Sequence, residues 1–231
     1  MRVMLMLLLG TMLMWVTHVR AAPACAGREL AVTAQIHDYA HVQSVQLARS
    51  RDLVARVYEK IGVRLEWLPT LQQPIRRAQS DVEDVRPPAR IAQLAVIIKT
   101  DEMAKRGSIP DGVLGYAVVP ADGGMGRIAY VLYERVNEIA REGGRNESDL
   151  LAFVMAHETG HLLLGRGVRA PVGLMKCHWD RREMQRLEAQ TLEFSEPHAA
   201  RIRNALENRP TADAGVACAA ASSAPPEEHL R

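Results

Sequence analysis

Between residues 29 and 36 the chain alternates apolar and polar positions (Glu-Leu-Ala-Val-Thr-Ala-Gln-Ile), which predicts a strand. The period lengthens over 44–61. There Val45, Leu47, Ala48, Leu53, Val54, Val57 and Ile61 recur at roughly helical spacing, and Gly62 marks the stop. Val63 to Leu68 alternates again and predicts a second strand, and polar, Pro-bounded 69–88 reads as loop. Ile91 to Lys99 is an apolar run suited to a buried strand. Gly115–Val119 and Ile128–Tyr133 predict two strands around Ala121-Asp122-Gly123-Gly124-Met125-Gly126. That Gly-rich stretch lacks the Lys-Ser/Thr of a phosphate loop and precedes no helix, so it reads as a hairpin turn. A short helix is expected from about Glu134 to Arg141.

The most regular helical pattern covers about 148–164. Asn146 can cap it, with Asp149 three residues on, and Gly165 and Gly167 offer a left-handed stop. A loop through Pro171 and Met175 leads to a helical region over 179–207, broken near Pro197. The β-α-β opening favours a partly parallel sheet with helices against it. After Pro210 the chain turns Ala/Ser/Pro-rich, a composition that buries little apolar surface, so residues 209–231 are expected to be a disordered tail.

Composition fits one domain, expected over 28–208 of the 231 residues. Hydrophobic residues make up 48% and aromatics only 4%, so the core must be mostly Leu, Val, Ile, Ala and Met. A net charge of +2, with acidic residues interleaved among the basic ones, gives no case for nucleic acid. The N-terminus reads as a secretory signal, residues 1–24: Arg2, an apolar run from Val3 to Val16, then small residues around Ala24. The run is too short for a comfortable transmembrane span. A secreted or periplasmic protein follows, with a lipid anchor at Cys25 as the less favoured alternative because Ala22 stands where lipoprotein signals usually have Leu. Export permits a disulfide, but the cysteines are three (Cys25, Cys177, Cys218), so a Cys177–Cys218 bridge stays open.

The candidate chemistry is His157-Glu158-Thr159-Gly160-His161. Residues four apart on a helix stack on one face, so two imidazoles can converge on one metal, while Glu158 lies about 100° round, beside a metal-activated water. The pattern arises by chance in about one chain of this length in 200. Leu150, Val154, His157, His161 and Leu164 share a stripe, which would point both rings inward, where their nitrogens need partners. Gly160 costs about 1 kcal/mol against Ala in a helix, which a close neighbour at its backbone would explain. His37 and His41 sit at a strand end, where four-residue spacing does not join side chains, and read as structural or surface residues. His198 reads as exposed.

The stretch Ala156-His-Glu-Thr-Gly-His-Leu-Leu-Leu-Gly165, followed by Gly173-Leu174-Met175, resembles metzincin-type zinc peptidases. It is similar above all to small secreted bacterial proteins with a His-Glu-Leu-Gly-His-Leu-Leu-Leu-Gly helix and a Gly-Ile-Met turn. The resemblance extends to Ile36-His37-Asp38-Tyr39-Ala40 and Gly62-Val-Arg-Leu-Glu-Trp67, and so to about residues 29–206. It implies an α+β fold, with a mixed sheet of about five strands over an active-site helix, then a Met-turn and a C-terminal helix. Met175 would lie beneath a Zn2+ ion held by His157 and His161, with Glu158 as general base. The strand near Ile128–Val131 would be the edge that pairs with an extended peptide or protein substrate.

One position departs from the pattern. Where such proteins place a third His, this chain has Arg169, whose guanidinium cannot ligate zinc. His178 is the favoured replacement, with Cys177, Asp180, Glu183 or no third protein ligand as alternatives. The expected function is zinc-dependent peptide hydrolysis outside the cytoplasm. The competing expectation is a weakened or inactive peptide-binding module on the same fold. A purely structural zinc is disfavoured, because closed structural sites use four ligands and would leave Glu158 without a role.

Overall fold

A computed structural model of the chain describes residues 29–69 and 92–208. The expected signal, most of the 69–88 loop, the C-terminal tail, Cys25 and its lipid, and the Cys177–Cys218 pairing fall partly or wholly outside these residues. Among the described residues eleven elements follow one another: β1 (Leu30–Asp38), α1 (Ser44–Glu59), β2 (Val63–Leu68), β3 (Ala92–Lys99), α2 (Asp101–Arg106), β4 (Gly115–Val118), β5 (Ile128–Leu132), α3 (Tyr133–Glu142), α4 (Glu147–Leu164), α5 (Arg181–Glu188) and α6 (Glu196–Glu207). No helix among the described residues is long and apolar enough to cross a membrane.

Among the described residues five strands form one mixed sheet in the order β2-β1-β3-β5-β4, and with the helices make an α+β fold. The first four lie parallel, as the β-α-β opening suggests, and β4 runs antiparallel to β5. The expectation that the strand near Ile128–Val131 is the edge is corrected: β3 bonds one side of it and β4 the other, so β4 is the edge at this end of the sheet and β2 at the far end.

Alternate residues of the strands (Val32, Ala34 and Ile36; Val96 and Ile98; Ala129 and Val131) are buried with α1 and α4 in the core. α1 and α4 lie side by side. Tyr58 is fully buried between them, its hydroxyl 2.9 Å from Thr159 Oγ1 and donating to the Ala156 carbonyl at 3.2 Å. At the other end Arg49 pairs with Asp149 at 3.1 Å. Asn146 caps α4, accepting from the Asp149 amide at 3.1 Å.

Two helical expectations change. α2 was not anticipated, although its signals stand in the sequence: the Thr100 hydroxyl caps it, Asp101 and Glu102 open it and Lys105 and Arg106 close it, complementing the dipole. The region 179–207 is two helices rather than one broken at Pro197. Gln190, at φ 56°, turns the chain between them, and Pro197 opens α6, where its missing N–H costs nothing.

Candidate metal centre

α4 is the central element of the molecule. The apolar stripe expected on one face is instead a burial that runs all round, because β4, β5, α1, α3, α5 and α6 all pack on this helix. Of its residues only Glu147, His157 and His161 escape full burial. Glu147 is in the first turn. The two histidines mark the place where the packing opens into a cleft of about 980 Å³.

The ring Nε2 atoms of His157 and His161 are 3.1 Å apart. His157 Nδ1 lies 2.7 Å from the Leu174 carbonyl. A carbonyl only accepts, so Nδ1 carries the proton and the lone pair of the neutral ring is on Nε2, facing His161. Trp179 Nε1 donates to the same carbonyl at 3.1 Å, and its ring stands edge-on to His157 at 5.7 Å. Burial lowers the His157 pKa, partly opposed by the bond to Leu174. For His161, burial, then the charges of His157 and His198, lower it to about 4. Both rings are therefore neutral at pH 7, the state a metal requires.

Gly160 lies between the histidines. A Cβ there would stand 2.8 Å from Met175 Sδ and 2.9 Å from Phe194 Cε1, so the neighbour expected at its backbone is a pair of side chains. Met175, 1% exposed, supports this turn of the helix from below.

Glu158 is 6% exposed, and burial alone pushes its carboxyl up to about 8. It packs against the start of β4. A Cβ on Gly115 would meet Glu158 Cγ at 2.7 Å and the Tyr130 carbonyl at 2.8 Å. Gly115 thus lets the edge strand and the acid approach, a role the sequence hinted at only as a glycine at a strand end.

Buried Arg135 holds the loop that leads into β4. It donates to the carbonyls of Pro110 at 2.6 Å and Val113 at 3.1 Å, and its Nε to Asp101 at 2.8 Å. Nothing in the local sequence distinguished it from surface arginines.

The candidates for a third ligand lie at different places around the pair. His178 lines the cleft but is exposed, with Nδ1 bonded 2.8 Å away to the carbonyl of Cys177. Cys177 is exposed. Asp180 caps α5 and pairs with Lys176, while Glu183, 1% exposed, is held by Lys176 at 2.7 Å. Among the described residues no three His, Cys, Asp or Glu side chains gather to hold a metal. Arg169 stands exposed in the cleft wall. His37 is half-buried, His41 is exposed, and neither lines the cleft. His198 is half-buried rather than exposed, its Nδ1 3.0 Å from Ser195 Oγ.

The donor set can be tested against zinc. Two nitrogens each about 2.0–2.1 Å from a tetrahedral ion stand about 3.4 Å apart, close to the separation here. The pair fits as two ligands of a divalent metal, and the described residues add no third.

The chain therefore combines a mixed α+β sheet with a cleft where a histidine pair and a buried carboxylate lie beside an edge strand. No protein-family model matches it, and no curated protein matches it. Among solved structures it is similar to an archaemetzincin from Methanopyrus kandleri, at 16% identity over 79% of this chain and 98% of that one, with a TM-score of 0.43. It is also similar to a zinc-dependent peptidase from Methanocorpusculum labreanum, at 13% identity over 74% of this chain and 99% of that one, with a TM-score of 0.45.

Proposed function

We propose that this chain is an exported metzincin-like zinc metallopeptidase, in which His157 and His161 hold the metal and Glu158 is the general base. One observation carries it: beyond its first turn α4 is buried all round except at two neutral imidazoles that open on the cleft, with their Nε2 atoms 3.1 Å apart. Zinc held there would supply Lewis acidity, polarising a peptide carbonyl and acidifying water.

The chain's own residues do the rest. The Leu174 carbonyl, by accepting from His157 Nδ1, fixes the ring and turns its lone pair to the cleft. Glu158 takes a proton from the attacking water and returns it to the leaving amine. Its pKa of about 8 keeps most of it protonated at neutral pH, and a cation nearby would bring it down into the range where it can act as a base. β4 offers unpaired backbone groups along the cleft, to which an extended peptide can add as a strand. The signal-like pattern of residues 1–24, Arg2 followed by an apolar run and small residues, supports action outside the cytoplasm.

The test is Glu158→Gln in the full chain. Zinc content is expected to stay unchanged while peptide cleavage falls by at least about a hundredfold. Cleavage at the native rate in that variant removes the mechanism. A second reading is favoured by the missing third donor and by Arg169: a peptide-binding module with a weak metal site. Metal analysis of protein purified without chelators, combined with a casein digest, separates the two. Zinc and cleavage support the enzyme, and neither supports the module.

A further inference from the structure

Two arginines in the cleft have no part in the hydrolysis described above. Arg166 and Arg169 follow the end of α4 and line the cleft together with His157, Glu158 and His161. Both are exposed, and among the described residues neither has an ion-pair partner. The cleft's third cation differs: Lys176 is neutralised by Asp180 and by buried Glu183. The acids are fewer. Glu158 is the one carboxylate among the lining residues, and it is buried against Gly115. The uncompensated charge of the cleft is therefore positive.

The loop that bears these arginines is anchored. Gly165 and Gly167 both adopt left-handed φ, of 81° and 74°. Val168, between the arginines, is buried, and the Ala170 amide donates to the Met175 carbonyl at 3.2 Å. Apolar Val113, Leu114, Ala117 and Trp179 line the same cleft, and a cleft whose uncompensated charges share one sign attracts the opposite charge at low salt. A guanidinium fork matches a carboxylate in shape as well as charge.

We infer that Arg166 and Arg169 read a carboxylate on the bound peptide, so that the cleft selects acidic peptides over neutral and basic ones. This rests on the peptide-cleft reading of the site. The carboxylate comes from one of two sources, an Asp or Glu side chain or the peptide's own C-terminus.

Fluorescence anisotropy on the full chain carrying Glu158→Gln, which prevents turnover, tests it. Four labelled peptides of one sequence bear either Glu or Gln at a single position, each with a free or an amidated C-terminus. A carboxylate-bearing peptide is expected to bind about tenfold tighter at low salt, with the advantage shrinking as salt rises. A Glu/Gln difference assigns the side chain, and a free/amidated difference assigns the terminus. The advantage is expected to vanish in Arg166→Ala/Arg169→Ala, and Arg166→Glu/Arg169→Glu should transfer it to a peptide bearing Lys at that position. Equal binding of all four peptides, or an advantage that survives the double substitution, overturns the inference and leaves the peptidase reading standing. Failure of every peptide to bind, together with no cleavage by the unsubstituted chain, overturns both.

Discussion

Met175 Sδ occupies the space in which a side chain on Gly160 would begin, 2.8 Å from the ideal Cβ position. The helix that carries both histidines and the turn that carries Met175 can meet this closely because residue 160 has no side chain. Gly160→Ala would gain about 1 kcal/mol of helix propensity. It would also drive a methyl into Met175 Sδ and the ring of Phe194, and overpacking of this kind costs about 1–3 kcal/mol. The net expectation is a loss of about 1 kcal/mol in urea unfolding. Equal or greater stability would show that the turn yields easily.

The metal-free protein should lose stability as pH rises from about 6.5 to 8. Glu158 titrates near 8 folded against 4.5 unfolded, so the folded state keeps a proton that the unfolded chain releases. Its contribution is complete below 4.5 and is lost as pH rises towards 8. His161 acts with the opposite sign. It titrates near 4 folded against 6.5 unfolded, so its contribution is present above 6.5 and lost as pH falls to about 4. Between 4.5 and 6.5 the two slopes oppose, and above 6.5 Glu158 acts alone. The free energy of unfolding in EDTA should fall by up to about 2 kcal/mol over the upper window, and Glu158→Gln should flatten that decline. A decline that persists in that variant assigns the effect to another group.

Arg135 joins β4 to the rest of the fold through Pro110, Val113 and Asp101. Truncation to Ala leaves the Pro110 and Val113 carbonyls without their donor and Asp101 without this partner. The expected cost is about 3 kcal/mol. Amide exchange across residues 107–115 should accelerate more than in α1. Unchanged protection there would mean the loop holds itself.

Arg169 lines the cleft with the histidine pair, at the position where a third histidine was expected from the sequence. Arg169→His is expected to tighten zinc binding by tenfold or more in a competition titration, because it offers a third imidazole in the cleft. Zinc should raise the unfolding temperature of the unsubstituted chain by mass action and leave His157→Ala unmoved. A variant that binds zinc no better than the parent would place residue 169 out of reach of the pair.

What the sequence determined by itself is local. The alternation over 30–36 and 63–68, the helical spacing from 44, the Asn146 cap and the four-residue spacing of His157 and His161 each depend on contacts within a few residues, and each appears in the fold. Even α2 was legible in Thr100 and the charges that follow it. The tertiary structure alone decided that β5 is interior, because β3, distant in the chain, takes the side of β5 that the β4 hairpin leaves free. It alone brought the Leu174 carbonyl to His157, Gly115 to Glu158 and Met175 to Gly160, and it turned His178 to its neighbour's carbonyl instead of the pair. Short-range hydrogen bonds leave a period in the sequence. A contact between distant segments depends on how whole elements pack, and no local spacing encodes it.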